Sequence, residues 1–148
     1  MQLKAQQLSE VVGSLRDRDR QGRSGAEKRR FSRMEVHAKL EVVAVSPDIT
    51  PRQFTALAQN ISFGGIRFTQ SVPLTPNHEV VVLLPNGRRG NLFIRCRIAH
   101  VNTLAQGIFD VGARFEAEVD AEFVQNAAAN GQELQRIRDA VLDLRIHP

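Results

Sequence analysis

The segment "LFIRCRIAHVN", residues 92–102, alternates apolar and polar side chains with a period of two. One face carries Leu92, Ile94, Cys96, Ile98 and, near the end of the segment, His100. Arg95 and Arg97 fall on the opposite face. Because successive side chains of a β-strand point to opposite faces, this pattern predicts a strand with one buried and one solvated face.

Five other segments also favour strands, and they follow one another at regular spacing. They are residues 35–45, 54–60, 66–70, 78–85 and 107–116. In the last of them Phe109, Val111, Ala113 and Phe115 share the inward face. An Asn-Gly pair at 86–87 indicates a hairpin. Six strands without intervening helices predict an all-β core with flanking helices, built on a six-stranded antiparallel β-barrel.

Both ends of the chain show the helical period instead. Near the N-terminus the apolar stripe consists of Ala5, Leu8, Val12 and Leu15, and near the C-terminus of Leu134, Ile137, Val141 and Leu144. The sequence therefore divides into an N-terminal helix (1–15), a flexible basic linker (16–27), the barrel (28–118) and a C-terminal helical segment (119–148). The N-terminal stripe suits docking either on the barrel or on a partner.

The charge of the 148-residue chain is concentrated in one place. The net charge is +4, but residues 16–33 hold eight basic and three acidic side chains. A local excess of positive charge indicates an anionic partner at that point. The segment has a single aromatic, Phe31, and no recognition helix, so we expect no specific nucleic-acid partner.

Other classes of protein and site are disfavoured by what the sequence lacks. It has no apolar run of the roughly 18 residues that a membrane span needs and no signal-peptide pattern, so we expect a cytoplasmic protein. Its four histidines, at 37, 78, 100 and 147, have no metal-ligand spacing, and Cys96 suits an inert core position. No nucleophile–base pair stands out. We expect neither an enzyme nor a cofactor.

Two short motifs carry the chemistry. "AEKRRFSRM", residues 26–34, sets four cations around Phe31, and "NISFGG", residues 60–65, lies between two strands. Asn60 and Ser62 are two residues apart and so project from the same face of an extended chain. The glycines at 64 and 65 allow close approach to the backbone. Amide, hydroxyl and exposed N–H groups can together bind base edges and phosphates.

Taken together, Arg29-x-x-x-Arg33 and Asn60-x-Ser62-x-x-Gly65 resemble the two-part signature of PilZ domains. "DVGARF", residues 110–115, looks like the last-strand pattern of that family, and the resemblance covers roughly residues 27–118. It implies a PilZ-like barrel and a receptor for the bacterial second messenger cyclic di-GMP, with no cofactor. Many members of the family carry aspartate where this chain has Asn60.

The resemblance also implies a set of ligand-binding residues. They are Lys28, Arg29, Arg30, Arg33, Asn60, Ser62, Gly64 and Gly65. Arg29 and Arg33 would hold guanine edges and phosphate, since a guanidinium binds both in pairs of hydrogen bonds. The second motif would receive the other guanine. Lys28 precedes the arginine motif at a position that influences whether one ligand or an intercalated pair binds, and both stoichiometries stay open.

The function implied is that of a receptor or adaptor that changes conformation when cyclic di-GMP binds and then regulates an unknown effector protein. Motility, biofilm and exopolysaccharide control are all compatible with this role, as are a monomer and a dimer. We expect the basic arm to be mobile in the free protein, to become ordered with ligand, and to carry the N-terminal helix with it. The alternative is a scaffold of the same fold that has no ligand and acts through protein–protein contacts.

Overall fold

In the computed structural model, the described residues are 1–18, 33–46, 52–87, 90–126 and 140, with only the backbone described at 18, 33 and 52. Helix α1 (Ala5–Arg18) precedes six strands, and residues 121–126 form a short helix after the last strand. The strands are β1 (Arg33–Ala44), β2 (Arg52–Ser62), β3 (Gly65–Gln70), β4 (Glu79–Pro85), β5 (Asn91–Ala105) and β6 (Ile108–Val119).

The strands form a closed barrel in the order β1-β2-β3-β6-β5-β4, and every neighbouring pair is antiparallel. Each strand is therefore paired with a neighbour on both sides. The six-stranded antiparallel barrel expected from the sequence is confirmed. In β1 and β6 the residues expected to point inward are buried: these are alternate residues from Val36 to Ala44 and from Val111 to Phe115.

Helix α1 lies across the end of the barrel where β1 begins and β2 ends. Its Leu8, Val11, Val12 and Leu15 join the same core cluster as the inward residues of the strands. The backbone N–H of Leu3 donates to the carbonyl of Phe63 at 2.7 Å, and the guanidinium of Arg16 donates to the carbonyl of Glu35 at 3.3 Å. The helix therefore docks on the barrel.

This docking corrects two expectations about the N-terminal stripe. Ala5 is exposed, whereas Leu3 and Val11, which were not assigned to the stripe, are buried. The stripe is part of the barrel core, so it is not a surface on which a partner could dock. The helix also extends to Arg18, three residues past the expected end of the N-terminal segment.

The two hairpins at β5 differ in length. Residues 86–90 join β4 to β5, so the Asn-Gly pair at 86–87 opens a five-residue loop and is not itself a two-residue turn. Gly87 and Gly90 both have positive φ, and the N–H of Asn86 donates to the carbonyl of Gly90. Gln106 and Gly107 alone join β5 to β6.

The region after β6 is described only in part. The Asp120 carboxylate accepts a hydrogen bond from the N–H of Phe123 at 2.8 Å, which makes it the N-cap of the helix at 121–126. The expected C-terminal stripe from Leu134 to Leu144 lies outside the described residues. No helix in the described part of the chain is long and apolar enough to cross a membrane.

Candidate functional site

The residues of the second motif line one cleft on the outer face of the barrel, with a volume of about 510 Å³. This size lies within the usual range for small-molecule sites, roughly 300–1,000 Å³. Ile61 and Ile66 are buried in the core, so Asn60 and Ser62 point outward. Strands β3, β5 and β6 complete the cleft with Arg67, Ala99, His100, Asn102, Asp110, Gly112, Ala113 and Arg114.

A first row of residues crosses four strands, and we call it the serine row. Its Cα register pairs Arg33 of β1 with Ser62 of β2, and Gly65 of β3 with Arg114 of β6. Ser62 Oγ donates to the carbonyl of Gly65 at 3.3 Å, which links the two pairs. The barrel thus brings the start of β1, where the arginine motif ends, directly beside the second motif.

A parallel row, the asparagine row, crosses β2, β3, β6 and β5. The register pairs Asn60 with Arg67, Arg67 with Gly112, and Gly112 with His100. Neighbouring strands lie about 4.8 Å apart, so the row spans about 14 Å. The floor of the cleft therefore carries one polar, one cationic and one aromatic side chain, with a glycine between the last two.

His100 was expected on the buried face with Cys96, and this expectation is wrong. An irregularity in the β5–β6 register between Ile98 and His100 inserts one extra residue, which reverses the faces of His100, Val101 and Asn102. His100 is exposed, and its ring covers Gly112 so closely that an added Cβ there would lie 2.0 Å from Cε1 of the imidazole. The cleft floor gains a flat aromatic surface that the sequence pattern did not reveal.

Arg67 is held in place by an acidic residue of the neighbouring strand. Its Nε donates to Oδ1 of Asp110 at 2.7 Å, and the Asp110 side chain is only 7% exposed. The hydrogen bond to Asp110 and its negative charge raise the pKa of Arg67 above its ordinary value. With Nε occupied, the two terminal nitrogens of the guanidinium stay free of hydrogen bonds to the described residues. Arg67 is thus a fixed cation in the cleft.

The two glycines of the motif differ in their surroundings. A Cβ added at Gly65 would lie 2.6 Å from the backbone oxygen of Ala113, whereas a Cβ at Gly64 would meet nothing within 4 Å. Neither residue has a positive φ. Gly65 is therefore required by the close approach of β3 to β6. Gly65 also lines the cleft, and Gly64 is the glycine with open space beside it.

The arginine motif is placed only in part. Lys28, Arg29 and Arg30 lie outside the described residues, and Arg33 is described by its backbone at the start of β1. Among the described residues, no three His, Cys, Asp or Glu side chains come together as a metal site. Cys96 is buried and burial raises the pKa of its thiol, which fits the inert core position expected for it.

Comparison with known families decides the classification. The family model described as "PilZ domain" matches residues 27–136, about three quarters of the chain. The chain belongs to the PilZ domain family. The resemblance seen in its two motifs is confirmed, and the match extends past β6 to residue 136. No curated protein matches the sequence.

Solved structures of similar fold include three PilZ-family regulators. The PilZ domain of YcgR from Escherichia coli with c-di-GMP is 14% identical, with a TM-score of 0.44 over 79% of this chain and 98% of that one. The inhibitor of motility MotI/DgrA of Bacillus subtilis is 15% identical (TM-score 0.44, covering 78% and 55%). The K. pneumonia MrkH–c-di-GMP complex is 17% identical (TM-score 0.44, covering 82% and 53%). This chain spans about half the length of the last two.

Proposed function

We propose that this PilZ domain binds cyclic di-GMP in the cleft and acts as a receptor or adaptor that regulates a partner protein, in motility, biofilm or exopolysaccharide control. One observation carries the proposal. The β1–β2 register sets Arg33 opposite Ser62, so the two halves of the signature, about thirty residues apart in sequence, meet at one place. YcgR and MrkH, both solved with c-di-GMP, share the barrel fold.

The ligand needs two kinds of group, and the cleft offers both. Cyclic di-GMP has two guanines, with donor and acceptor edges, and two phosphodiesters. The Asn60 amide can donate to guanine O6 or accept from N1–H and N2–H. The Ser62 hydroxyl donates its proton to the Gly65 carbonyl, so the lone pairs of its oxygen can accept a hydrogen bond from the ligand. Both side chains are half-buried, which limits competition from water.

Positive charge completes the site from the β1 side. Arg33 is the register partner of Ser62 in the serine row. Arg29 precedes Arg33 by four residues, so their Cα atoms are at most about 14 Å apart and Arg29 is within reach of the same cleft. Guanidinium groups bind phosphate and the O6/N7 edge of guanine through paired hydrogen bonds. We assign Lys28 and Arg30 to the same electropositive arm, where they raise the local concentration of an anionic ligand.

Aromatic and cationic surfaces on the cleft floor add purine contacts. The His100 ring covers Gly112, and Arg67 is the register partner of Gly112 on the other side. Both an imidazole and a guanidinium plane stack on purine faces. Because Asp110 fixes Arg67 before any ligand arrives, little side-chain entropy is lost when a guanine settles there.

Titration calorimetry with purified protein tests the proposal. Cyclic di-GMP should bind the wild-type chain, Arg33→Ala should bind far more weakly, and cyclic di-AMP, which lacks guanine O6 and N2, should bind poorly. Arg95→Gln is the control for loss of one positive charge, because Arg95 is half-buried on the outer face of β5 and does not line the cleft. Absence of heat with cyclic di-GMP on folded wild-type protein would contradict the proposal and would favour the ligand-free scaffold.

A further inference from the structure

Two arginines line the cleft, and they differ in how their charge is balanced. Arg67 is bound to Asp110 at 2.7 Å. Arg114 is exposed, and within the described part of the chain it makes no hydrogen bond and no salt bridge. An unpaired guanidinium at the wall of a cleft has all five of its N–H donors available to a ligand.

The neighbours of Arg114 explain why its charge is not balanced. In the β5–β6 register it pairs with Arg97, another cation. Arg97 itself is bound to Glu79 at 3.0 Å and to Glu116 at 3.2 Å, so these two carboxylates already serve a cation. Both carboxylates are bound to Arg97 and neither forms a salt bridge with Arg114, so an anion placed beside Arg114 would supply the counter-charge that this guanidinium lacks.

On its other side Arg114 faces the second motif. Its register partner on β3 is Gly65, which has no side chain, and the next residue along the serine row is Ser62. No side chain of β3 therefore stands between Arg114 and the centre of the motif. The row begins with Arg33 and ends with Arg114, about 14 Å away across three strand spacings.

We propose that Arg114 is a further ligand-binding residue, which holds one phosphodiester of the cyclic dinucleotide from the β6 side while Arg33 serves the other from β1. This inference rests on the proposed function and deepens it. A cyclic dinucleotide carries its two phosphates on opposite sides of one ring, and the serine row offers one arginine at each end with only Ser62 and Gly65 between. Arg114 is carried by a strand of the barrel, so the position of its Cα is set before ligand binds.

The two arginines then contribute differently to recognition. Arg33 continues the basic arm, where several cations are available. Arg114 is the one unpaired cation lining the cleft among the residues that the structure describes. We therefore expect its loss to weaken binding without abolishing it, and lysine to replace it only in part, because an ammonium group lacks the planar fork that binds phosphate in a bidentate manner.

The test is titration calorimetry of cyclic di-GMP with wild type, Arg114→Gln, Arg114→Lys and the control Arg95→Gln. We expect Arg114→Gln to weaken binding by roughly 10- to 100-fold and Arg114→Lys to lose less. The affinity of the control should stay within about twofold of wild type, because Arg95 does not line the cleft and a distant charge acts only through electrostatics that salt screens. In about 1 M salt, where screening acts over about 3 Å, the gap between wild type and Arg114→Gln should narrow.

The possible outcomes separate this inference from the proposed function. If wild type binds and folded Arg114→Gln binds equally well, the role of Arg114 is wrong while the receptor function stands. If Arg95→Gln loses as much affinity as Arg114→Gln, general electrostatics explain the loss and the specific contact is refuted. If folded wild type does not bind cyclic di-GMP, the proposed function fails and this inference fails with it. Thermal melts of each variant confirm that the proteins compared are folded.

Discussion

The neighbouring glycines 64 and 65 allow the fold and the site to be perturbed separately. Gly65→Ala places a Cβ 2.6 Å from the backbone oxygen of Ala113 on β6, and a backbone atom within a closed barrel cannot move aside easily. Overpacking of this kind costs about 1–3 kcal/mol of unfolding free energy. For a chain of this size each kcal/mol lowers Tm by roughly 2–4 °C, so we expect a loss of about 2–12 °C.

Gly64→Ala is the matched control. Its Cβ meets nothing within 4 Å, and φ at this residue is not positive, so Tm should stay within about 2 °C of wild type. Gly64 lines the cleft, so this variant should instead weaken binding of cyclic di-GMP. Thermal unfolding followed by circular dichroism, without ligand, distinguishes the two. The reasoning is refuted if Gly65→Ala melts like wild type, or if Gly64→Ala is the less stable variant.

Four further outcomes follow from the same contacts. Arg33→Ala should weaken cyclic di-GMP binding by about 30- to 1,000-fold, since one guanidinium supplies charge-assisted bonds and stacking worth roughly 2–4 kcal/mol; equal calorimetric titrations would show the assignment to be wrong. Asp110→Asn should lower the unfolding free energy by about 1–2 kcal/mol in urea melts, because it replaces a charge-assisted bond to Arg67 with a neutral one; an unchanged midpoint would mean that the pair adds nothing. Cys96 is buried, so it should resist iodoacetamide until the protein unfolds, and rapid labelling of the native protein would contradict this. Burial raises the pKa of the Cys96 thiol in the folded state, so the unfolding free energy should be unaffected by this group below about pH 8.5 and should fall at higher pH, where the thiol of the unfolded chain ionises. Amides in residues 20–33 should gain hydrogen-exchange protection when cyclic di-GMP binds, because phosphate removes the repulsion between neighbouring arginines; protection already present without ligand would refute the ordering of the arm.

The barrel could be predicted from the sequence because period-two alternation is a local property of each strand. Every second residue from Val36 to Ala44 and from Leu92 to Ile98 is apolar, and the structure buries that face in both segments. Ala5 was assigned to the wrong face because helical spacing alone does not say which residues contact the barrel. Leu3 precedes the helix; its side chain is buried in the core, and its backbone N–H donates to the carbonyl of Phe63.

The outward position of the second motif could also be predicted from the sequence, whereas the other residues that line the cleft could not. Asn60 and Ser62 are two residues apart, so their shared face follows from strand geometry alone. His100 reaches the cleft through a register irregularity, which alternation cannot reveal. Arg67 and Asp110 are 43 residues apart in sequence, and only the pairing of β3 with β6 brings them together.

The central claim is that cyclic di-GMP binds across the serine and asparagine rows, and backbone NMR during a titration tests it most directly. The account predicts chemical-shift changes at the amides of Asn60, Ser62, Gly64 and Gly65, together with those of Gly112 and Arg114 on β6. Amides on the far side of the barrel, such as Val81 and Val82 of β4, should stay unchanged and serve as the internal control. Saturable changes confined to β4, or no changes at ligand excess, would contradict the account.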